Sequence, residues 1–127
     1  MQENMTLAIR TKYAYDIIDI TGDISYDDFP QIDQFIKNRA TPGNKNLILN
    51  MEGVKYINSS ALSLLIKLMH ELSILKIELY IMHASEEIEA LMKMTGVRKF
   101  FQLIKDEQSL MKKLQRDETD KILDVID

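Results

Sequence analysis

Apolar and polar residues alternate from Met5 to Ile9, and a second run, Tyr15 to Ile20, is rich in β-branched and aromatic side chains. Joined by Arg10 to Ala14, the two predict an antiparallel pair of strands. Thr21-Gly22-Asp23 reads as a turn. Ser25 with Asp27 and Asp28 predicts a helix start, and Pro30 falls in the first turn, where its missing N–H costs nothing. Phe29, Ile32, Phe35 and Ile36 recur at helical spacing to about Arg39, and Thr41-Pro42-Gly43-Asn44 ends that helix. Leu47 to Met51 is a compact apolar run of strand length, which predicts a central strand covered on both faces. Glu52 to Ile57 continues as a loop or short strand that bends at Gly53. A long helix is predicted from Ser59 to about Leu75. Its stripe of Leu62, Leu65, Ile66, Met69 and Leu72 is widened by Ala61, Leu64, Leu68 and Leu75. Only Ser63, Lys67, His70 and Glu71 make a clearly polar face, so the helix either packs on two sides or shows apolar surface to something else.

Ile77 to Met82 is the next predicted strand. Ala84-Ser85-Glu86-Glu87 opens a helix with Ile88, Leu91 and Met92 on one face, and Thr95-Gly96 closes it. Phe100 to Ile104 is the last strand, and Lys105-Asp106-Glu107 leads into a helix with Leu110, Met111 and Leu114. The order β-β-α-β-α-β-α-β-α predicts an α/β fold: an initial antiparallel hairpin, then alternating elements in a mixed β-sheet with helices packed mainly on one face. The 127 residues suit one domain, placed at 1–114. Residues 115–127 hold Ile122, Leu123, Val125 and Ile126 among acids, and either extend the last helix or form an acidic tail.

Composition narrows the chemistry. Hydrophobic residues at 46% and charged residues at 28% are ordinary globular usage, so a buried core is expected and wholesale disorder is not. The absence of cysteine excludes disulfides, thiolate zinc sites and cysteine nucleophiles. The opening Met-Gln-Glu-Asn-Met-Thr shows no basic start and no apolar stretch, so a cytoplasmic location is expected. The run Ala61 to Met69, broken by Ser63 and Lys67, is too short for membrane insertion. Net charge is −4, which disfavours nucleic acid, and Lys93, Arg98-Lys99 and Lys112-Lys113 read as solvated faces. His70 and His83 lack ligand-spaced companions, so no metal is expected. There is no Gly-x-Ser-x-Gly elbow, and the four glycines form no phosphate loop. The pairs Asp27-Asp28 and Glu86-Glu87 sit in first turns, where the helix dipole explains them. Met69, Met82, Met92 and Met94 read as core fillers, with Met94 the one also suited to an adaptable surface. No catalytic residue and no cofactor are predicted, and the chain reads as a non-enzyme.

What remains is Asn58-Ser59-Ser60 at the head of the long helix. Asn is among the best N-caps, and serines in a first turn satisfy free N–H groups, so capping alone accounts for the triplet. The surrounding pattern adds to this. The stretch from Leu47 to Leu62 is an apolar strand ending in an acid, a Gly53-Val54 bend, an aromatic-apolar pair, then Asn-Ser-Ser-Ala-Leu and a leucine-rich helix. It resembles the signature of the STAS domain, the fold of bacterial anti-sigma-factor antagonists. Ala84-Ser85-Glu86-Glu87-Ile88, Met94-Thr95-Gly96-Val97, Phe100-Phe101 and Gly22-Asp23-Ile24 fit in matching order, from about Thr6 to Leu114.

The resemblance implies a regulatory protein that binds a partner anti-sigma factor with serine kinase activity, and a serine phosphatase as the reverse partner. It implies Ser60 as the phosphorylation site with Ser59 beside it. Asn58, Ala61, Leu62 and Asp23 are then the switch-loop and partner-contact residues, in a monomer or weak homodimer. Asn58 stands where the family usually has Asp, Ala61 where it has Gly, and Asn50 where it has a strand-end Asp. The Asn58 change removes a negative charge beside the serine hydroxyl, which implies slower phosphorylation or none. Two alternatives remain beside this reading. One is a non-phosphorylated STAS scaffold or adaptor in a stressosome-like or lipid-transport assembly, and the other is a small-molecule or nucleotide-binding enzyme.

Overall fold

The computed structural model describes residues 5–13, 15–41 and 47–126, with the backbone alone described at 118 and 120–126. Strands β1 (Thr6–Lys12) and β2 (Tyr15–Thr21) pair antiparallel, with Lys12 opposite Tyr15 and Thr6 opposite Thr21. β3 (Leu47–Gly53), β4 (Leu79–Met82) and β5 (Gln102–Ile104) then add in parallel, so the sheet order is β1-β2-β3-β4-β5. A helix bridges each parallel step: α1 (Phe29–Arg39), α2 (Ser59–Ile74) and α3 (Glu86–Met94). α4 (Glu107–Ile126) follows β5. This is the mixed sheet and element order that the hydrophobic pattern predicts.

The pleat of the sheet divides the core in two. Ile18, Leu49, Met51 and Ile81 point to the face covered by α1, α2 and α3. Ile17, Ile48, Tyr80 and Ile104 point to the other, where Leu110 of α4 is fully buried and Leu114 is partly so. β2 and β3 lie inside the sheet and are apolar on both sides, which is why their sequences read as runs and not as alternation. β1 is an edge strand, and there the alternation survives: Leu7 and Ile9 are half-buried while Thr6 and Ala8 are exposed. On α2, Leu62, Leu65, Leu68 and Leu72 are at most 2% exposed, and each contributes about 2 kcal/mol by leaving water.

Several boundaries differ from expectation. β1 runs three residues further, to Lys12, because Arg10, Thr11 and Lys12 still pair with Ile17, Asp16 and Tyr15 across the hairpin. β4 begins at Leu79, although Ile77 is still buried. The last strand begins at Gln102, because Arg98–Phe100 forms a 3-10 turn that leaves Phe100 exposed and buries Phe101. The Ser25 expectation holds one turn ahead of α1. The Ser25 hydroxyl donates to Asp28 Oδ2 at 2.8 Å and accepts from the Asp28 N–H at 3.3 Å, a reciprocal cap. α1 ends with Ala40 bonded to Ile36, while Pro42, Gly43 and Asn44, expected to end it, lie outside the described residues. Beyond Leu114 the backbone stays helical to Ile126. Met82 and Met92 are core fillers, Met69 is half-buried, and Met94 is 85% exposed.

Candidate functional site

The strand-to-helix corner is built by two loops that lie against each other. After β3, Val54 and Ile57 turn inward, each 1% exposed, and leave Lys55 and Tyr56 outside. The Gly22–Ser25 loop is tied to this segment by three backbone bonds. Gly22 N donates to Gly53 O at 3.0 Å, Ile24 N to Tyr56 O at 3.0 Å, and Asn58 N to Ile24 O at 3.3 Å. Ile24 and Ile57 also form an isolated parallel bridge. Gly53 suits a close approach: a Cβ there would sit 3.1 Å from both Ile20 O and Thr21 Oγ1, so the β2 end would have to shift by a few tenths of an ångström to admit one. Asp23 is therefore held beside Asn58 by a hydrogen-bonded frame.

Asn58 is extended, at φ −79° and ψ 161°, and its Oδ1 accepts from Ala61 N at 2.8 Å. Its carbonyl accepts from Leu62 N at 3.0 Å, the first bond of the helix, so its side chain caps one N–H of the first turn of α2, that of Ala61. Ser59 and Ser60 occupy the first two helical positions and are exposed, and Ser59 O accepts from the Ser63 hydroxyl at 3.1 Å. Among the contact candidates, Asp23 and Asn58 are half-buried, but Ala61 and Leu62 are 0% and 2% exposed. The Ala61 methyl points into the core, where it anchors the helix and leaves the surface beside Ser60 unchanged.

Tyr56 is not among the residues that the resemblance implies. It is 59% exposed, and with Ile57, Ile88, Leu91 and Met94 it lines an apolar groove of about 370 Å³ beside the corner. The signal for it was present: in Val54-Lys55-Tyr56-Ile57 the flanking apolar residues are the ones that must turn inward, which forces the aromatic ring out.

Asn50 lies on the opposite face of the sheet, under α4, and is 8% exposed. Its Nδ2 donates to Asp19 Oδ1 at 2.7 Å, and its Oδ1 accepts from Glu52 N at 3.2 Å. Arg10 bonds Asp19 through Nε at 2.9 Å and reaches Glu107 through Nη2 at 2.9 Å. Lys12 meets the other Glu107 oxygen at 2.7 Å. These cations, Lys12 first and then Arg10, hold the Glu107 carboxyl below its usual range. The network clamps the start of α4 to β1 and β2. Among the described residues no cluster of three His, Asp or Glu side chains is arranged to hold a metal, and no helix is long and apolar enough to cross a membrane.

Comparison with known proteins follows the same outline. The sequence profile of the STAS domain matches residues 7–110. An anti-sigma-B factor antagonist of Staphylococcus aureus is 23% identical over 95 residues, covering 75% of this chain and 88% of that protein. Among solved structures, an anti-sigma factor antagonist from Mycobacterium paratuberculosis superposes with a TM-score of 0.72 at 16% identity, over 86% of this chain and 93% of that one. The Bacillus cell fate determinant SpoIIAA, solved in its phosphorylated form, superposes with a TM-score of 0.61 at 17% identity, over 86% and 98%. At these identities the structural likeness speaks for the fold.

Proposed function

This chain belongs to the STAS domain family, and from that premise we propose that it is a regulatory binding module whose contact surface is centred on Ser60. Its partner is an anti-sigma factor with serine kinase activity, and Ser60 receives the phosphate. The observation that carries this reading is the position of Ser60: exposed at the second residue of a helix whose Ala61 N–H is capped by Asn58. A phosphate there adds about −1.5 to −2 charges and three strong acceptors, and the helix dipole tolerates the charge, so the fold survives modification. The same charge inside a close protein interface must be desolvated. A penalty of about 3 kcal/mol weakens binding roughly a hundredfold. Half-buried Asp23 and Asn58 and exposed Ser59 form the rim of the contact surface, the groove at Tyr56 and Met94 extends it, and Ala61 and Leu62 form its buried base. A switch of this kind needs no catalytic group of its own. A serine phosphatase restores the binding state.

The test is to incubate the chain with the kinase domain of an anti-sigma factor and ATP, locate the phosphate by mass spectrometry, and titrate that domain with wild type and Ser60→Asp. The expected result is phosphate on Ser60 and binding weakened by tenfold or more in Ser60→Asp. Binding indifferent to Ser60→Asp overturns the switch. A second reading, a STAS scaffold without phosphate control, is favoured by Asn58, which supplies the cap but not the negative charge that the family usually places there. Under it, Ser60→Ala and Ser60→Asp leave assembly unchanged.

A further inference from the structure

The apolar stripe of α2 is wider than the core it covers. Beyond its buried leucines, Ile66 and Met69 are only half-buried, and with Leu79 and Phe100 they line an open groove of about 780 Å³ where β4 and β5 begin. Phe100 is 55% exposed. Lys67 and Lys76 stand on the rim, and Lys99 sits 5.4 Å over the Phe100 ring. The acid of this groove, Glu78, accepts from the Tyr80 hydroxyl. The groove thus sets an apolar floor among the polar side chains of Ser63, His70, Ser73 and Gln102, and its two lysines outnumber its one acid, in a chain of net charge −4. Lys76 is also held at φ 61°, the left-handed conformation that glycine takes more cheaply and that Gly96 takes at the end of α3.

α4 passes the same end of the sheet on the opposite face. Lys113 lies 5.4 Å over the ring of Tyr80, the residue after Leu79. Past it, Gln115, Arg116, Asp117 and Thr119 are exposed while the helix continues to Ile126. Residues 115–126 extend about 18 Å at the helical rise. The sequence from 115 to 127 holds four aliphatic residues, Ile122, Leu123, Val125 and Ile126, among five acids and two bases.

We propose that the groove receives the C-terminal half of α4, residues 115–126, from a second copy of this chain. Its composition complements the groove: aliphatic residues against Ile66, Met69 and Phe100, acids against Lys67 and Lys76. A chain's own α4 lies across the sheet from its own groove, and an unbroken helix cannot wrap around the edge to reach it. Exchange between two copies has no such obstacle, and when reciprocal it closes on a two-fold axis. The inference does not depend on Ser60.

Sedimentation velocity on the whole chain, from about 5 to 500 µM, reads the association directly. The mass is expected to rise from 14.8 kDa toward twice that value, and added salt should oppose the rise. Lys67→Glu with Lys76→Glu reverses the groove, and Asp120→Lys with Asp124→Lys reverses the tail. Each pair should weaken self-association tenfold or more while circular dichroism shows a folded protein. Mixing the two variants should restore a dimer, because each reversed groove then meets a reversed tail. A monomer at every concentration, a dimer unaffected by either reversal, or a mixture that stays monomeric overturns the proposal.

Discussion

Asn50→Asp changes one atom type in the network under α4, and the surroundings set its cost. The Asn50 Nδ2 that donates to Asp19 Oδ1 at 2.7 Å becomes a carboxylate oxygen, so a donor facing an anion is replaced by a second anion. Two unit charges about 4 Å apart at an effective dielectric near 20 repel by about 4 kcal/mol. Arg10, 2.9 Å from the other Asp19 oxygen, offsets part of this, but the lost bond to a charged acceptor adds about 1.5–3 kcal/mol. The new carboxyl at position 50, 8% exposed in the parent, can escape by taking up a proton and donating it to Asp19. That escape limits the penalty up to about pH 6, where taking up the proton costs about 3 kcal/mol.

The sign follows from the proton. A carboxyl whose folded pKa is raised binds more protons folded than unfolded, so the penalty is absent near pH 4, grows with pH, and levels off at about pH 6. Urea unfolding followed by circular dichroism and tyrosine fluorescence measures it, since the chain has five tyrosines and no tryptophan. The expected loss at pH 7.5 is about 3 kcal/mol, or roughly 8–15 °C in Tm for a domain of this size. Asp19→Asn combined with Asn50→Asp should recover more than half of it, because donor and acceptor are then exchanged. A loss under about 0.5 kcal/mol, or one that does not fall between pH 7.5 and pH 4.5, refutes the account.

Other substitutions test the remaining parts of the frame. Asn58→Ala should cost about 1 kcal/mol in urea melts by freeing the Ala61 N–H, whereas Asn58→Asp should cost nothing, since either oxygen caps equally well. α2 and α3 end alike, with Ile77 N bonded to Leu72 O and Val97 N bonded to Met92 O, each at 2.9 Å, but with Lys76 left-handed in one and Gly96 in the other. Lys76→Gly should therefore raise stability by up to about 1 kcal/mol, and Gly96→Ala should lower it by about the same amount, both read as shifts in melting midpoint. Glu107, held below its usual range by Lys12 and Arg10, stabilises the folded state above its unfolded pKa. That contribution is lost as pH falls through the lower folded value. Glu107→Gln should remove this acid-side dependence and much of the salt sensitivity of α4 docking, measured as hydrogen exchange across residues 107–114.

The sequence made the architecture readable because burial is uneven across the sheet. β1 and α3 each have one wet side, so their periods survive, whereas β2 and β3 are covered twice and show themselves as uninterrupted runs. The last strand was misjudged because Phe100 and Phe101 look alike in a pattern of hydrophobic residues. Only the 3-10 turn at Arg98–Phe100 decides that one ring goes out and the other goes in. At the corner, capping chemistry was legible in Asn58-Ser59-Ser60 because it is local. The burial of Ala61 and Leu62 was legible as well, in the apolar stripe of α2, whereas the groove beside Tyr56 was not, because it needs Lys55–Ile57 to be brought against α3, which is distant in sequence.

The two asparagines that replace acids in the family pattern show why local and distant causes must be separated. At Asn58 the local job is complete, since its oxygen caps Ala61 N as an aspartate oxygen would, and all that differs is a charge on the half-buried rim. Any consequence of that change must therefore appear in partner binding or phosphate transfer and not in folding. At Asn50 the reason is 31 residues away in sequence: Asp19 is already the acid of that network, and Arg10 already its counter-charge. A second acid there would have no cation of its own, so the amide is what the fold requires. The same substitution type thus carries information about function at one position and about stability at the other. Measuring both urea stability and partner affinity for Asn50→Asp and Asn58→Asp separates them: the first should move stability alone, the second affinity alone.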